Sequence, residues 1–422
     1  MNFEEYENNR LMTLPKRIDW WLDARFGMFI HIGLYSVKAD HEWSKGNQNI
    51  KREEYNKLAD GFNITEEAIE SWIKLAYKTG MKYVVLTTRH HEGFSLWKSR
   101  VNEFNSTNYG SRIDVIKYFV KYCRKYGLRI GLYFSLMDWN HDDAYSCMID
   151  EDANKRFTDY IKGMLRELMT NYGKIDVLWY DIPRPMIDAK GWNSVAMNEM
   201  VRQLQPQIII NNRSRLAEDF ITPEEKIGGS QDVYWESCMT LNRLSWGYIN
   251  EKQIQPYLMT PQQVIRTLIE IISKKGNLLL NVNPDANGKI PNSTLSILNS
   301  VGQWLDVYGE VVYGRNTPTK IHRTNDLCIS IERENIAYIV NFIRPLDGLL
   351  RLGGEFSAVT EVVDLYTSNP LVFNQSSEGI DITLNEEFSS ELGIGVLKLI
   401  FEKDIKYKRA TLYPQINEGR FI

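Results

Sequence analysis

Several apolar runs in this chain stop on an ionisable residue, and this pattern constrains the fold more than any other feature. One run ends at His31, the next at His90 and His91, and two later runs end at Asp181 and Glu236. Buried parallel strands are apolar along most of their length because both faces of the sheet are covered. At their carboxyl ends such strands open into the loops that carry catalytic side chains. The pattern therefore predicts a parallel α/β enzyme with a pocket at one edge of its sheet.

Strand-like and helix-like patterns alternate from about residue 20 to residue 310. Strands are predicted at 26–31, 82–87, 128–134, 175–180, 207–211, 232–236 and 277–282. Between them, apolar residues at i, i+3 and i+4 spacing predict helices at 65–79, 112–125, 152–172, 192–204, 261–274 and 291–308. This alternation predicts a (β/α)8-like catalytic barrel. An open doubly wound sheet is the alternative, although no Gly-rich phosphate loop follows the first strand.

The pattern changes after residue 312 to short alternating segments rich in Val and Ile. The clearest lie at 327–331, 336–342, 358–365 and 396–401. Such segments, separated by Gly, Asn and Pro, are typical of a small antiparallel β-sandwich. We therefore expect a catalytic barrel over 1–312, a C-terminal β-sandwich over 313–402 and a polar tail over 403–422.

Charge and composition narrow the possible partners. The net charge is only −4, so electrostatics give no reason to expect nucleic acid or an anionic membrane as a partner. No apolar stretch approaches the ~20 residues that span a bilayer. The amino terminus is polar and acidic and has no secretory signal. We therefore expect a soluble protein that is cytoplasmic, or periplasmic or secreted if a signal was removed.

Three acidic residues are candidates for the nucleophile and the general acid. Asp181 ends a strand of apolar and aromatic residues, and a carboxylate fixed there suits a nucleophile, although Asp at this position also commonly caps a helix. Glu224 lies in an acidic loop between two strands, where it can act as a general acid or merely open a solvated turn. Glu236, at the predicted end of its strand, competes for the same role.

Histidines, a tyrosine and an arginine follow the same strand ends. Adjacent residues on a strand point in opposite directions, so His90 and His91 reach one pocket only if the strand has already turned. Together with His31 they are possible zinc ligands, but no spaced ligand motif supports a metal, and binding of sugar hydroxyls uses the same residue types. Tyr133 and Arg213 add polar groups to the same rim.

An ordered set of short segments resembles the retaining α-L-fucosidases of glycoside hydrolase family 29. The segments are FGMFIHIGLYS at 26–36, EW at 42–43, RHHEGF at 89–94, LWYD at 178–181, NNR at 211–213, TPE at 222–224, WESC at 235–238, SWGY at 245–248 and GNLLLNVNP at 276–284. As an ordered set they are specific, although single pieces are not. The resemblance implies a barrel followed by a β-sandwich, no metal or organic cofactor, and a fucosylated oligosaccharide or glycoconjugate as substrate.

The resemblance also implies roles for single residues. Asp181 matches the family nucleophile, and Glu224 matches the acid/base that many members carry in a TPE-type segment. The implied contacts to the sugar are His31, Glu42, Trp43, His90, His91 and Arg213, and Trp235 and Trp246 match aromatic positions near the sugar or its aglycone. We add Tyr133 and Glu236 to the predicted substrate-binding residues because of their place at strand ends.

We therefore expect a retaining exo-glycosidase that releases terminal α-L-fucosyl residues through a covalent glycosyl-enzyme intermediate. Departures from the family pattern at Ile32, Glu92 and Ile182 leave the exact sugar and linkage open. The alternatives are an α-L-galactosidase-like hydrolase of a related L-sugar, a metal-dependent hydrolase, and a non-catalytic carbohydrate-binding protein of the same fold. The sequence is compatible with a homo-oligomer but does not predict one.

Overall fold

The computed structural model describes residues 2–228, 233–317, 320–321, 327–386 and 390–409. These residues form two compact units. One is drawn from Met1–Thr260 and Gly276–Gly302, and the other from Pro261–Lys275 and Gln303–Ile422. The borders that we expect at residues 312 and 402 stay predictions, and most of the polar tail, residues 410–422, lies outside the described residues.

A curled parallel sheet forms the centre of the first unit. Its strands among the described residues are β1 (Phe26–Ile30), β2 (Tyr83–Arg89), β3 (Arg129–Ser135), β4 (Val177–Asp181), β5 (Ile209–Ile210), β6 (Glu236–Thr240) and β7 (Asn277–Val282). Their order in the sheet is β5-β4-β3-β2-β1-β7-β6, and each of these pairs is parallel. The barrel-like α/β fold predicted from the sequence is confirmed.

The described residues also form α-helices. They are α1 (Phe3–Ala24), α2 (Leu34–Lys38), α3 (Ser44–Asn47), α4 (Arg52–Asn56), α5 (Glu66–Lys78), α6 (Val115–Lys125), α7 (Glu151–Asn171), α8 (Ser194–Leu204), α9 (Glu251–Ile254), α10 (Pro261–Ser273) and α11 (Asn292–Val312). Short 3-10 turns lie at Lys57–Gly61, Ser146–Met148, Asn212–Ser214 and Gln255–Tyr257. The six predicted helices are confirmed to within a few residues. Within the described ranges, no helix combines the length and apolarity that crossing a membrane requires.

One strand was predicted in the wrong place. We expected it over 232–236, ending at Glu236, whereas β6 begins at Glu236; Asp232 lies outside the described residues. The run that misled the prediction includes Val233 and Tyr234, which are both exposed. The strand itself has the sequence ESCMT and is buried throughout, so polar and small residues conceal it from a reading of hydrophobicity. Glu236 therefore lies at the amino end of its strand.

A linking segment, residues 219–225, lies between the two edge strands of the sheet. On one side, the Asp219 amide donates to the Ile210 carbonyl at 2.9 Å. On the other side, the Cys238 amide donates to the Pro223 carbonyl at 3.1 Å. The segment thus bonds to both edges of the sheet and closes it into a ring. The sequence predicted a loop between two strands here. The structure shows a backbone that is hydrogen-bonded on both sides.

A buried ion cluster anchors the start of the linking segment. Arg17 of α1 donates to the Asp219 carboxylate at 2.5 and 3.0 Å, and Arg202 of α8 donates to it at 3.0 Å. The Ile210 amide donates to the same carboxylate at 2.9 Å. Burial opposes ionisation of Asp219, but the two arginines outweigh it, and the pKa of this carboxyl lies below its usual value. This cluster joins α1 and α8 to the closing part of the ring.

We expect Asp219→Ala to lower the free energy of unfolding by about 3–5 kcal/mol, because it leaves the buried Arg17 without its carboxylate partner. Urea denaturation measures the change. Since the folded-state pKa of Asp219 is depressed, its stabilisation is present at neutral pH and is lost as the pH falls through that pKa.

A matched control removes an exposed ion pair. Lys155 and Asp159 lie one turn apart on α7 with their side chains 80% and 59% exposed. We expect Lys155→Ala to change the free energy of unfolding by less than about 1 kcal/mol. Equal losses in the two variants would show that the buried cluster is not an anchor.

The second unit is built from antiparallel strands. They are β8 (Cys328–Arg333), β9 (Ile336–Asn341), β10 (Leu349–Gly353), β11 (Glu355–Phe356), β12 (Val359–Asp364), β13 (Phe373–Gln375), β14 (Gly379–Thr383), β15 (Gly395–Phe401) and β16 (Tyr407–Lys408). They form sheets of order β12-β15-β9-β8, β10-β14-β13 and β11-β16. One apolar core holds Ile339 and Leu397 from the first sheet and Leu352 and Ile380 from the second. The β-sandwich is confirmed.

Candidate active site

An open cavity of about 390 Å³ lies at the carboxyl ends of the parallel strands. Ten predicted site residues line it, namely His31, Glu42, Trp43, His90, His91, Tyr133, Asp181, Arg213, Glu224 and Trp246. Phe29, Trp179, Ile182 and Cys238 complete the lining and were not among the predicted site residues. The predicted residues Trp235 and Glu236 are not part of this lining.

Asp181 is the last residue of β4 and its carboxylate is fixed by two donors. The Tyr133 hydroxyl donates to Oδ2 at 2.7 Å, and Arg213 Nη1 donates to Oδ1 at 2.6 Å. His91 Nε2 lies 3.8 Å from Oδ2. Burial opposes ionisation, but the charge of Arg213, the nearby His91 and the bond from Tyr133 together lower the pKa of Asp181 below its usual value. The carboxylate is therefore ionised at neutral pH.

Glu224 faces the same arginine from the linking segment. Arg213 Nη2 donates to Oε2 at 2.8 Å, and the indole Nε1–H of Trp246 donates to Oε1 at 3.1 Å. The Glu224 side chain is 44% exposed, against 12% for Asp181. The two terminal nitrogens of one guanidinium thus hold the two acids. The more buried acid is set deep in the cavity and the more exposed one at its mouth.

His90 and His91 both reach the cavity because the chain turns directly after β2. The Gly93 amide donates to the His90 carbonyl at 3.1 Å, and Gly93 has a φ of +87°. A Cβ at this position would lie 2.3 Å from Oδ1 of Asp138, so the turn requires glycine. The two imidazole rings lie with their centroids 3.8 Å apart. The turn that the sequence required for a shared pocket is present.

Hydrogen bonds fix the tautomers of two histidines. His31 Nδ1 lies 2.7 Å from Oδ1 of Asn281, which only accepts, so this nitrogen carries the proton. His91 Nδ1 lies 2.7 Å from the Ser135 hydroxyl, which itself donates to the Met137 carbonyl at 2.9 Å. Burial lowers the pKa of both histidines to about 4, so both are neutral at neutral pH. Each Nε2 is left as an acceptor.

Glu42 organises the opposite side of the mouth. Its Oε2 accepts hydrogen bonds from the Ser245 hydroxyl at 2.5 Å, the Trp246 amide at 3.1 Å and the Gly247 amide at 3.0 Å. These bonds hold the loop whose indole reaches Glu224. Next to Glu42, the Trp43 ring lies 5.0 Å from the His91 ring and forms part of an aromatic wall.

The structure separates Glu236 from the two acids at the arginine. Glu236 is fully buried behind Trp179, whose indole donates to Oε1 at 3.0 Å. Trp235 is also buried and pairs with Ile221 of the linking segment. Both residues support the wall of the cavity, whereas Glu224 lines it.

The alternation of side chains along a strand could have found two of the lining residues. Trp179 stands two positions before Asp181 on β4, and Phe29 stands two positions before His31 at the end of β1. Residues i and i+2 of a strand lie on one face, so both share the face of a predicted site residue.

The arrangement of potential ligand side chains bears on the metal-dependent alternative. In the part of the chain that the structure describes, no group of three or more His, Cys, Asp or Glu side chains is arranged to hold a metal ion. His31, His90 and His91 lie together as aromatic neighbours, with 6.0 Å between the ring centroids of His31 and His90.

Known proteins are similar to this chain in sequence and in fold. The alpha-L-fucosidase family model matches residues 3–310. The chain belongs to the alpha-L-fucosidase family. The plasma alpha-L-fucosidase of Homo sapiens is 31% identical over 374 residues, which cover 79% of this chain and 78% of that protein.

Solved fucosidases share the fold. Alpha-L-fucosidase isoenzyme 1 from Paenibacillus thiaminolyticus superposes with a TM-score of 0.84 at 31% identity and covers 93% of this chain and 100% of that one. The GH29 alpha-L-fucosidase from Bacteroides thetaiotaomicron gives a TM-score of 0.83 at 25% identity, with 91% and 95% covered.

We expect Arg213→Met to move the acidic limb of the fucosidase's kcat/KM profile to higher pH by about 1–3 units, because an adjacent arginine lowers the pKa of a carboxyl by that amount. In the variant, burial is left to raise the pKa of Asp181, and the carboxylate is protonated at a pH where the wild type is ionised. The pH dependence of kcat/KM on 4-nitrophenyl α-L-fucoside measures the shift. Arg184→Met, at an exposed arginine nearby, is the control. An acidic limb that does not move in Arg213→Met would contradict the effect of Arg213 on the pKa of Asp181.

Proposed function

We propose that this fucosidase releases terminal α-L-fucosyl residues with net retention, with Asp181 as nucleophile and Glu224 as acid/base. The observation that carries the proposal is the convergence of both carboxylates on the guanidinium of Arg213 in one cavity. Asp181 is ionised and buried, as a nucleophile should be. Glu224 stands at the mouth, where the leaving group departs and water enters.

The reaction follows in two displacements. Asp181 attacks the anomeric carbon while Glu224 protonates the departing glycosidic oxygen, and a covalent fucosyl-enzyme forms. Glu224, now a carboxylate, then takes a proton from water, and this water displaces Asp181 from the anomeric carbon. Tyr133 and Arg213 donate to the Asp181 oxygens and stabilise the carboxylate that is regenerated in the second step.

The remaining lining residues suit a fucosyl group. The neutral Nε2 atoms of His31 and His91 accept from sugar hydroxyls. His90 also lines the cavity and offers a further polar side chain to the sugar. Phe29 and Ile182 offer apolar surface for the methyl group at C6. The expectation that nucleic acid and membranes are not partners rests on the net charge of −4 and stays a prediction.

A structural relative supports the covalent route. The alpha-L-fucosidase from Bacteroides thetaiotaomicron has been trapped as a covalent intermediate in complex with 2-fluoro-fucosyl fluoride. Retention requires such an intermediate. Proton NMR of the first product from 4-nitrophenyl α-L-fucoside tests it here: α-L-fucose must appear before mutarotation, and first formation of the β-anomer would end the proposal.

We expect Asp181→Gly to lower kcat by about 10³-fold or more, because no nucleophile then remains. Azide, a small anion that fits the space left by the carboxylate, should restore turnover and form a fucosyl azide. Activity assays with and without azide and mass analysis of the product measure this. A variant with wild-type activity would remove Asp181 from the mechanism.

We expect Glu224→Ala to slow substrates with poor leaving groups by about 10²–10⁴-fold and activated aryl fucosides far less, because a good leaving group needs no proton. The comparison of 4-nitrophenyl α-L-fucoside with a fucosylated disaccharide measures the difference. Glu236→Ala is the matched test of the competing acid. If the loss depends on the leaving group in Glu236→Ala and not in Glu224→Ala, the acid/base assignment is wrong.

A further inference from the structure

A carboxylic acid is buried inside the ring of strands, outside the cavity that binds substrate. Glu236 is fully buried at the amino end of β6. Its Oε1 accepts from the Trp179 indole at 3.0 Å and its Oε2 from the Tyr83 hydroxyl at 2.5 Å. Burial raises its pKa to about 7, which records the cost of placing a charge there. An apolar side chain would avoid this cost, so the carboxyl group needs a reason beyond packing.

The indole that Glu236 holds is the packing surface for both groups that fix Asp181. The ring of Tyr133 stacks on Trp179, with centroids 5.7 Å apart and planes 19° apart. The guanidinium of Arg213 lies over the same indole at 4.6 Å from its centroid. Tyr133 and Arg213 are the donors to Oδ2 and Oδ1 of Asp181. Any rotation of the indole therefore moves both donors.

The intrinsic torsion of the side chain leaves this rotation weakly determined. The torsion that turns an aromatic ring about its Cβ–Cγ bond has broad minima, so a directional hydrogen bond at the ring edge defines its angle more sharply than contacts on its faces. Glu236 supplies that bond at the Nε1–H edge of Trp179. The angle of the indole matters because a misplacement of about 1 Å in a reacting group can cost about 10²-fold in rate.

We propose that Glu236 is a positioning residue for the nucleophile, which acts through the indole of Trp179 on Tyr133 and Arg213. This role rests on the proposed function of Asp181. It differs from the two roles that the sequence suggested, because a residue behind the wall neither contacts substrate nor exchanges a proton with it. The effect belongs to the step in which Asp181 attacks, whatever the leaving group.

The test isolates that step. A 2-fluoro-fucosyl fluoride labels the nucleophile, and intact-mass spectrometry follows the label, which gives the rate constant kinact and the affinity constant KI. We expect Glu236→Leu to lower kinact by about 10- to 100-fold while KI stays near its wild-type value. Glu236→Gln, whose Oε1 still accepts from the indole, should recover most of the loss. An unchanged kinact in Glu236→Leu overturns the proposal.

A matched control removes the other hydrogen bond of the same carboxyl group. Tyr83→Phe deletes the donor to Oε2 and leaves the indole bond in place. We expect its kinact to stay close to that of the wild type, whatever the change in its melting temperature. If kinact instead follows the melting temperature in both variants, Glu236 is only a structural residue.

A double-mutant cycle tests whether the effect passes through Trp179. In Trp179→Phe an aromatic ring remains but the smaller side chain has no Nε1–H, so adding Glu236→Leu should lower kinact little further. Full additivity overturns the proposal. Trp179→Phe also probes the same bond if Glu236→Leu does not fold. A wild-type enzyme that 2-fluoro-fucosyl fluoride does not label would refute the proposed function itself, and this outcome is separate from any behaviour of the Glu236 variants.

Discussion

The two salt bridges of Arg213 are the interaction on which the site depends. Two carboxylates in one small cavity repel each other, and a guanidinium group, which is charged at every working pH, holds both in place. Arg213 is itself fixed from the side: its Nε donates to the Thr222 hydroxyl at 2.9 Å and its plane lies over Trp179. The distance between the two carboxylates is therefore set by one rigid, planar group.

The fold delivers the three groups from neighbouring positions around the ring. Asp181 ends β4, Arg213 lies in the 3-10 turn that follows β5, and Glu224 lies on the linking segment. Because this segment bonds to both edge strands, Glu224 stands on a backbone that is held on both sides. The buried cluster at Asp219 fixes the start of the same segment. The ring closure and the acid pair thus share one structural element.

Most of the site was predictable because parallel strands end together, so residues distant in the chain, such as His31 and Asp181, meet at one rim. The features that escaped prediction share a physical cause. Hydrophobic patterns report apolar burial, and β6, with its buried Glu236 and Ser237, carries little of that signal. The prediction missed α1 for a related reason, since α1 buries Arg10 and Arg17 as ion pairs with Asp219.

Buried polar groups that interrupt a hydrophobic pattern cost stability. A chain retains them where they have a role that apolar residues cannot fill. At Asp219 that role is the closure of the ring. At Glu236 it is the angle of the Trp179 indole, on which the donors to Asp181 pack. Replacing each whole cluster by apolar residues would avoid the cost of burying charge. Apolar residues lack directional bonds, however, and an attack on an anomeric carbon demands defined angles. The cost in stability and the precision of the nucleophile therefore have the same origin.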